Sequence, residues 1–317
     1  MKPPYEITKK ILNLIAIISE KIGEVNSVHL HKLPTELRKK NRVKTIQSSL
    51  EIEGNTLTIE QITAIIENKR IVGPKKDIIE VKNAISVYDK IDELKPYSMS
   101  SFCKAHAILM DGLESPGRLR SKSVGIVKGS KIAHIAPKGV MVKPLMNDLF
   151  DYLKNDEDLI LIKSCVFHYE LEFIHPFLDG NGRMGRLWQT LILKNKYPVF
   201  EFLPIETLIK ERQTKYYNAL GISDKKGTST LFIEFMLEII KESLEELLKI
   251  QNIALTNLDR INMYKSIIKN DFFTRKEYLR SFKEISPSTA SRDLKFAVEN
   301  NIIEKFGDKN TAKYRFV

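Results

Sequence analysis

Residues 175–186 read His-Pro-Phe-Leu-Asp-Gly-Asn-Gly-Arg-Met-Gly-Arg. A residue that precedes proline is pushed out of the α region, so the helical pattern before this stretch must end near His175. Apolar residues resume at helical spacing from about Arg183 and stop before Pro198. The stretch therefore predicts a helix, a glycine-rich loop and a second helix.

Outside this element, apolar residues recur at helical spacing nearly everywhere up to about residue 255. Residues 117–140 break the pattern, because they combine several glycines and Pro137 with β-branched residues, which predicts a hairpin or flap. We therefore predict a mainly α body. It is divided into an N-terminal helical region at 1–98, a core at 99–225 and connecting helices at 226–260.

The last segment, residues 261–317, changes character. Thr274 and Glu277 have the spacing of a capping box, and Ser286-Pro287 starts another helix with proline at its first position. The tail Ile303–Val317 alternates as a β-hairpin does. Three short helices and a terminal hairpin predict a small α+β winged helix-turn-helix domain.

The chain has 317 residues and a formal net charge of +11. Its N-terminus lacks an apolar region with a cleavage site, and no apolar run approaches the roughly 18 residues that span a bilayer. The two cysteines, Cys103 and Cys165, lie in apolar surroundings, which favours a reducing compartment. We therefore expect a cytoplasmic protein without a membrane partner. The positive charge fits either an acidic partner such as nucleic acid or a compositional bias towards lysine.

The loop and the start of the second helix have the chemistry of a phosphate site. Backbone amides at a helix N-terminus attract anions, and the glycines of Gly180-Asn181-Gly182 permit a close approach. Arg183 and Arg186 lie three residues apart, so both guanidinium groups can face the same phosphates. This pattern predicts an anion site at the mouth of the second helix.

Two titratable residues flank the predicted anion site. Asp179 offers the hard oxygen ligand that Mg²⁺ prefers, although a carboxylate among arginines also serves as an ion-pair partner. His175 is placed to accept a proton from an attacking hydroxyl; the alternative is a structural histidine at a helix end. A zinc site formed by His168, His175 and Asp179 is a further alternative, but this spacing is not a standard zinc motif.

The same twelve residues resemble the motif of the Fic family, H-P-F-x-(D/E)-G-N-G-R-x-x-R, at every specified position. Pro116-Gly117-Arg118 and Tyr216-Tyr217 also match Fic features in the usual order, and the resemblance extends over about residues 1–225. It implies a Fic-type helical bundle with a β-hairpin flap. It also implies transfer of AMP from ATP to a Ser, Thr or Tyr hydroxyl of a target protein or of the enzyme itself.

The resemblance further implies roles for individual residues. His175 would deprotonate the acceptor hydroxyl, and Asp179 would hold Mg²⁺ on the α- and β-phosphates. Asn181 and the loop amides would stabilise the α-phosphate, the two arginines would hold the β- and γ-phosphates, and Tyr217 would line the adenine pocket. The nucleotide-binding set is thus Gly180, Asn181, Gly182, Arg183, Arg186 and Tyr217. The flap would pair with a target segment by strand addition through Ile132, Ile135 and Ala136.

A second element lies well before this motif in the chain. Residues 49–55, Ser-Leu-Glu-Ile-Glu-Gly-Asn, end a helical pattern at Gly54, so Glu53 lies at the negative end of a helix dipole. Such a carboxylate is either solvated or paired with a compensating cation. The segment resembles the Fic inhibitory motif (S/T)-x-x-x-E-(G/N), with Ser49 and Glu53 in register. The resemblance implies an inhibitory helix at about 44–54, whose Glu53 pairs with Arg186 and fills space that the γ-phosphate needs.

Other functions stay open at this point. Residues 261–317 carry an excess of five positive charges, and a DNA-binding regulator with a secondary Fic core is one alternative. The residues expected to face DNA are Thr289, Arg292 and Lys295 on the predicted recognition helix, with Lys309, Lys313 and Arg315 on the wing. Protein interaction or homodimer formation fits the same segment. Within the Fic family, the alternatives are transfer of UMP, phosphate or phosphocholine, or removal of AMP.

Overall fold

The computed structural model describes residues 2–27, 35–123, 125–128, 131–254, 256–268, 272–282, 285–307 and 312–317. The chain divides into two compact units, Met1–Leu244 and Glu245–Val317. Helices make up most of the described residues, so the mainly α fold class predicted from the sequence is confirmed. Each helix in these ranges is too short or too polar to cross a membrane.

The first unit is a succession of helices with one hairpin. Their bounds are α1 Lys9–Ser27, α2 Thr35–Ile52, α3 Ile59–Ile66, α4 Lys75–Asp89, α5 Met99–Leu109, α6 Gly139–Asn155, α7 Ile160–Ile174, α8 Asn181–Lys196, α9 Ile205–Glu211 and α10 Gln213–Lys226. The next helix, α11 Thr230–Ala254, begins in the first unit and continues past its end at Leu244. A 3-10 turn, Pro198–Glu201, follows α8. The predicted helical body is therefore observed.

The helices α7 and α8 lie in the core of the first unit, because most of their side chains are buried. α8 buries every side chain from Arg183 to Leu193. Phe102 of α5 packs edge-on against Trp188 of α8, with ring centroids 5.0 Å apart, and stacks on Phe177 at 5.3 Å. Since Phe177 belongs to the loop between α7 and α8, that loop is anchored in the aromatic core.

The break between α7 and α8 falls where the sequence predicts it. α7 ends at Ile174, and His175 takes the left-handed conformation with φ of 50°. Gly180, with φ of 84°, precedes α8, and glycine carries this conformation without steric cost. α8 begins at Asn181, two residues before the predicted start near Arg183, and ends before Pro198.

The helix α2 carries the predicted inhibitory segment at its C-terminus. It begins at Thr35 and ends at Ile52, so it starts well before the predicted residue 44 and leaves Glu53 just beyond its last turn. Gly54 follows with φ of 91°. The hydroxyls of Ser48 and Thr207, 3.1 Å apart, link α2 to α9. The end of α2 is thereby held against the rest of the unit.

The predicted flap is a two-stranded antiparallel hairpin. Its strands are β1 Gly125–Lys128 and β2 Lys131–Ile135, with an irregular register between Ile126 and Val127. Within the described part of the first unit, these are the only strands. The prediction of a hairpin within residues 117–140 is confirmed.

The second unit contains a small sheet packed with short helices. Its elements are α12 Asn257–Ile268, β3 Phe273–Thr274, α13 Arg275–Ser281, α14 Pro287–Glu299, β4 Ile303–Phe306 and β5 Lys313–Phe316. The antiparallel sheet has the order β3-β5-β4. The predicted capping box at Thr274 and the proline at the start of α14 are both present. This arrangement is compatible with the predicted winged helix, although the sequence analysis missed the two-residue strand β3.

A buried ion pair lies inside the second unit. Arg260 Nε lies 2.6 Å from Asp293 Oδ2, and Tyr278 donates its hydroxyl to the same oxygen at 3.1 Å. Asp293 is buried, as are Ala290 and Leu294 of the same helix. The polar residue therefore faces the core rather than a partner, which helical spacing alone did not reveal.

Candidate active site

A buried arginine holds the backbone that carries His175. Arg120 is only 4% exposed, and burial lowers the pKa of its guanidinium. Its side-chain donors reach the carbonyls of His175 at 2.6 Å, Ile174 at 2.9 Å, Pro137 at 2.8 Å and Lys122 at 2.7 Å. One side chain thus fixes both the left-handed turn at His175 and the chain that leaves the flap. Arg120 was not predicted as a site residue, although it lies two residues after Arg118 of the Pro-Gly-Arg stretch.

We expect Arg120→Lys to destabilise the first unit by about 2–4 kcal/mol, because an ammonium cannot satisfy four carbonyls held by a guanidinium. Urea unfolding followed by circular dichroism measures this loss. Arg118→Lys is the matched control, since Arg118 is exposed and its replacement should stay within about 0.5 kcal/mol of wild type. Equal stability of the two variants would contradict the role assigned to Arg120.

The loop after His175 is held by a buried histidine from α5. The His106 ring stacks on Phe177 with centroids 3.5 Å apart. Its Nδ1 accepts a hydrogen bond from the Gly117 N–H at 2.9 Å, so the ring proton resides on Nε2, which donates to the Asp179 carbonyl at 3.0 Å. Burial lowers the pKa of His106 to about 4. Local sequence does not single out His106, because its partners lie 11 and 73 positions away.

His106 predicts a pH dependence of stability. Its pKa is about 4 in the folded chain and 6.5 ordinarily, so the unfolded chain binds the proton first as the pH falls. The stabilisation from neutral His106 is complete above pH 6.5 and declines towards pH 4, by at most about 1.4 kcal/mol per pH unit. The stability difference between wild type and His106→Gln, measured by urea unfolding, should therefore shrink from pH 7 to pH 4.5. A constant difference would contradict this assignment.

The Asn181 side chain faces the loop rather than open space. Its Oδ1 accepts from the Phe177 N–H at 2.9 Å, and its Nδ2 donates to the Phe177 carbonyl at 3.0 Å. One of the two Nδ2 hydrogens is thereby used, the other stays available as a donor, and the role of Asn181 at an α-phosphate stays a prediction. The N–H groups of Asn181, Gly182 and Arg183 remain as donors for an anion, because the first turn of a helix lacks intrahelical acceptors.

Asp179 has features of both alternatives, metal ligand and ion-pair partner. Its Oδ1 accepts from the Gly180 N–H at 2.6 Å and lies 3.1 Å from Arg183 Nη2. The side chain is nevertheless 42% exposed at the start of α8. A carboxylate open to solvent beside an anion-attracting helix end can hold Mg²⁺ together with phosphate oxygens.

Arg183 is buried between two carboxylates. Besides Asp179, its Nη1 lies 3.2 Å from Glu80 Oε1 of α4, and Glu80 also accepts from Asn55 Nδ2 at 2.9 Å. Glu80 is itself buried, and the sequence analysis missed it because α4 is distant in the chain. Arg183 is therefore held in place at the predicted anion site before any phosphate binds.

Arg186 is bound by the end of α2. Its Nη2 lies 2.7 Å from Glu53 Oε1 and 2.9 Å from the Ser49 carbonyl, and its Nε donates to Ser49 Oγ at 3.0 Å. Arg186 is buried, whereas the Glu53 side chain is 33% exposed. Burial alone lowers the pKa of Arg186, but the Glu53 carboxylate more than reverses this effect and the pKa is raised. The predicted residues Ser49, Glu53 and Arg186 are thus in direct contact.

Gly182 leaves the space that Glu53 occupies. A Cβ placed on Gly182 would lie 2.4 Å from Glu53 Oε1 and 3.1 Å from Arg186 Nη1. Real Cβ atoms essentially never come this close to another heavy atom. A side chain at position 182 would therefore displace the carboxylate end of Glu53 from its place beside Arg186.

The remaining predicted residues lie around this centre. Tyr217 is half-buried. Burial raises the pKa of its hydroxyl, and the negative charge of the nearby Glu53 raises it further. His168 is buried, with Nδ1 2.7 Å from Gln189 Oε1 and Nε2 3.0 Å from the Tyr216 hydroxyl, which leaves no ring nitrogen for zinc. Ile132 and Ile135 belong to β2, but their side chains lie outside the described residues; Ala136 is buried.

Comparison with known proteins gives a consistent result. A model of the Fic/DOC family matches residues 96–193. Protein adenylyltransferase fic-1 of Caenorhabditis elegans is 27% identical over 216 residues, 63% of this chain and 40% of that protein. Protein adenylyltransferase Fic of Nematostella vectensis is 29% identical over 246 residues, 72% of this chain and 54% of that protein. The chain thus spans about half the length of these relatives.

Solved structures share the fold. A Fic family protein from Desulfovibrio desulfuricans G20 is 39% identical, with a TM-score of 0.77 over 100% of this chain and 98% of that chain. Residues 134–508 of Fic-1 from C. elegans give a TM-score of 0.61 at 18% identity, covering 78% of this chain and 73% of that chain. At that identity the second likeness concerns the fold alone.

Proposed function

The chain belongs to the Fic family, and from this membership we propose that it is a protein adenylyltransferase restrained by its own α2. The observation that carries the proposal is the contact of Glu53 and Ser49 with Arg186, the last residue of a stretch that matches the Fic motif at every specified position. The curated relatives named protein adenylyltransferase support the activity. The boundaries of the catalytic core at 99–225 stay a prediction from the sequence.

In the proposed reaction, the oxygen of a protein Ser, Thr or Tyr hydroxyl attacks the α-phosphorus of ATP. His175 accepts the hydroxyl proton, a bond from that oxygen to the α-phosphorus forms, and the bond to the bridging oxygen breaks. Pyrophosphate leaves with the electron pair. The first-turn N–H groups of α8 stabilise the negative charge that develops on the α-phosphate. The proton acceptor and the amide donors lie on adjoining segments, which suits this division of roles.

Asp179 is the residue proposed to hold Mg²⁺, because its carboxylate is exposed beside the helix N-terminus. When bound, the ion neutralises charge on the phosphates and favours departure of pyrophosphate. Arg183, already oriented by Glu80, and Arg186 are proposed to bind the β- and γ-phosphates. Arg186 can do so only after Glu53 leaves it, so the structure corresponds to the restrained state of the proposed enzyme.

The decisive experiment is mass spectrometry of the Glu53→Gly protein after incubation with Mg²⁺, a cell lysate and an equal mixture of ATP, UTP and CDP-choline. An adduct of AMP on a hydroxyl residue is the expected result. An adduct of UMP, phosphate or phosphocholine would replace the proposed activity by that alternative. Loss of AMP from a pre-modified target would instead indicate the reverse reaction.

A second candidate function, DNA binding, concerns the second unit. Arg292 and Lys295 are exposed on α14, and Lys313 is exposed on β5; Lys309 lies outside the described residues. A gel shift on random duplex DNA, titrated with salt, tests this proposal, because phosphate contacts weaken steeply with salt. Absence of a shift at low salt would eliminate it and leave protein interaction or a homodimer, which analytical ultracentrifugation detects.

A further inference from the structure

A separate cavity of about 350 Å³ lies along α2, outside the 175–186 loop. Its volume is at the lower end of the range of about 300–1,000 Å³ that is typical of small-molecule sites. α2 forms one side, and the end of α4, α8 and the segment after α8 form the others. The residues that line it are Arg38, Lys39, Arg42, Thr45, Tyr88, Ile91, Thr190, Phe200, Glu201, Phe202 and Leu203.

The lining combines cations with aromatic walls. Arg38 and Lys39 are exposed, and the Arg38 guanidinium lies 5.7 Å from the centre of the Phe202 ring. Arg42 is held by Asp89 at 2.5 Å. Glu201, the acidic residue in the lining, lies 3.1 Å from Lys194, which it shares with Asp92 at 2.5 Å, so one carboxylate faces three cationic side chains in the lining. The net character of the opening is therefore positive.

The floor of the cavity is apolar, with two hydroxyl groups. Phe200, Leu203 and Ile91 are buried, and the side chains of Thr45 and Tyr88 lie beside the buried carboxyl of Glu206. Burial raises the pKa of Glu206 to about 7, so near neutral pH it carries only part of a negative charge. The interior of the cavity therefore favours an aromatic ring system, and its opening favours a negatively charged group on the same ligand.

The cavity is connected to the candidate active site through α2. Thr45 lies one helical turn before Ser49, which binds Arg186 through both its hydroxyl and its carbonyl. On the opposite wall, the Phe202 carbonyl accepts a hydrogen bond from Asn41 Nδ2 of α2 at 2.8 Å. The complete cavity exists only while α2 is packed in the position that presents Glu53 to Arg186.

We propose that this cavity binds a small aromatic anion and that binding strengthens the hold of Glu53 on Arg186. A ligand that touches both α2 and the opposite wall binds better when α2 is in place, and thermodynamic linkage makes the effect reciprocal. The inhibitory consequence rests on the proposed function; the binding and its coupling to Glu53 do not.

Binding is tested with 1-anilinonaphthalene-8-sulfonate, an aromatic sulfonate whose fluorescence rises in apolar sites. We expect saturable binding of one probe per chain to the full-length protein. The variant Arg38→Glu should weaken binding about tenfold, since it replaces a favourable charge at the opening by a repulsive one. Lys40→Glu is the matched control, because Lys40 is exposed on the same helix and does not line the cavity. Equal affinity of the two variants, or the absence of saturable binding, would overturn the proposal.

Coupling is tested with the same probe and without any enzyme assay. Glu53→Gly does not alter the cavity lining, but it loosens α2, so it should weaken probe binding by about two- to fivefold. Unchanged affinity would refute the coupling and leave an isolated site. In the transfer assay, the probe should inhibit wild type and have a smaller effect on Glu53→Gly. If neither protein transfers AMP, the proposed function fails, while the fluorescence result still decides the binding proposal.

Discussion

Glu53→Gly is expected to raise incorporation of labelled AMP by about ten- to a hundredfold over wild type. Removing one partner of a buried ion pair commonly costs about 3–5 kcal/mol, and partial exposure of Glu53 reduces this figure through solvent screening. Without Glu53, the γ-phosphate can bind Arg186 without first breaking the ion pair that holds α2 there. The measurement is labelling of the protein itself or of a target in the presence of ATP and Mg²⁺.

Two variants separate charge from shape in this experiment. Glu53→Gln keeps a hydrogen-bond acceptor for Arg186 but loses the charge, so its labelling should lie between wild type and Glu53→Gly. Glu60→Gly is the matched control, because Glu60 is an exposed glutamate on the neighbouring helix. Equal labelling of wild type and the three variants would contradict the proposal that Glu53 restrains the enzyme.

The second large effect is expected at His175. Placed on Glu53→Gly, His175→Asn should reduce labelling by about 10²- to 10⁴-fold, the usual contribution of a general base. Asparagine is chosen because residue 175 is left-handed, with φ of 50°, and asparagine tolerates this conformation better than alanine does.

A loss of labelling has meaning only if the variant is folded. The Asn variant should keep the urea midpoint of its parent to within about 0.5 kcal/mol of stability, since the side chain of His175 is half-buried and its backbone contacts are retained. Persistent labelling of the folded variant would remove His175 from the mechanism. If the protein is a DNA-binding regulator, the His175→Asn variant should lose labelling but still shift duplex DNA in a gel.

The parts of this molecule that the sequence predicted are those set by local rules. The end of α7 follows from Pro176, the start of α13 follows from Thr274 and Glu277, and the hairpin follows from its glycines. The contact between Glu53 and Arg186, residues 133 positions apart, was reached only through the family resemblance. Spacing within one segment carries no information about such a distant pair.

Residues that act by holding others escaped the sequence analysis. Arg120, His106 and Glu80 come from three elements outside the motif, and each acts through carbonyls or charges that the fold brings to it. For Asn181, the residue type was noted but the direction of its amide was not, because direction depends on the turn that ends at Gly180. Residue identity thus predicted the chemistry of the loop, but it did not predict the residues that hold the loop in place.

In the proposed enzyme, Glu53 would act as a tethered competitor of ATP, because it occupies the space beside Gly182. Glu53 enters the volume beside Gly182 as part of the same chain, so its effective concentration there is set by the anchoring of α2 and not by dilution. The restraint should therefore raise the apparent KM for ATP, as expected when only a fraction of molecules is competent to bind. Such an enzyme would respond to the cellular ratio of ATP to ADP, because only the nucleotide with a γ-phosphate competes for Arg186.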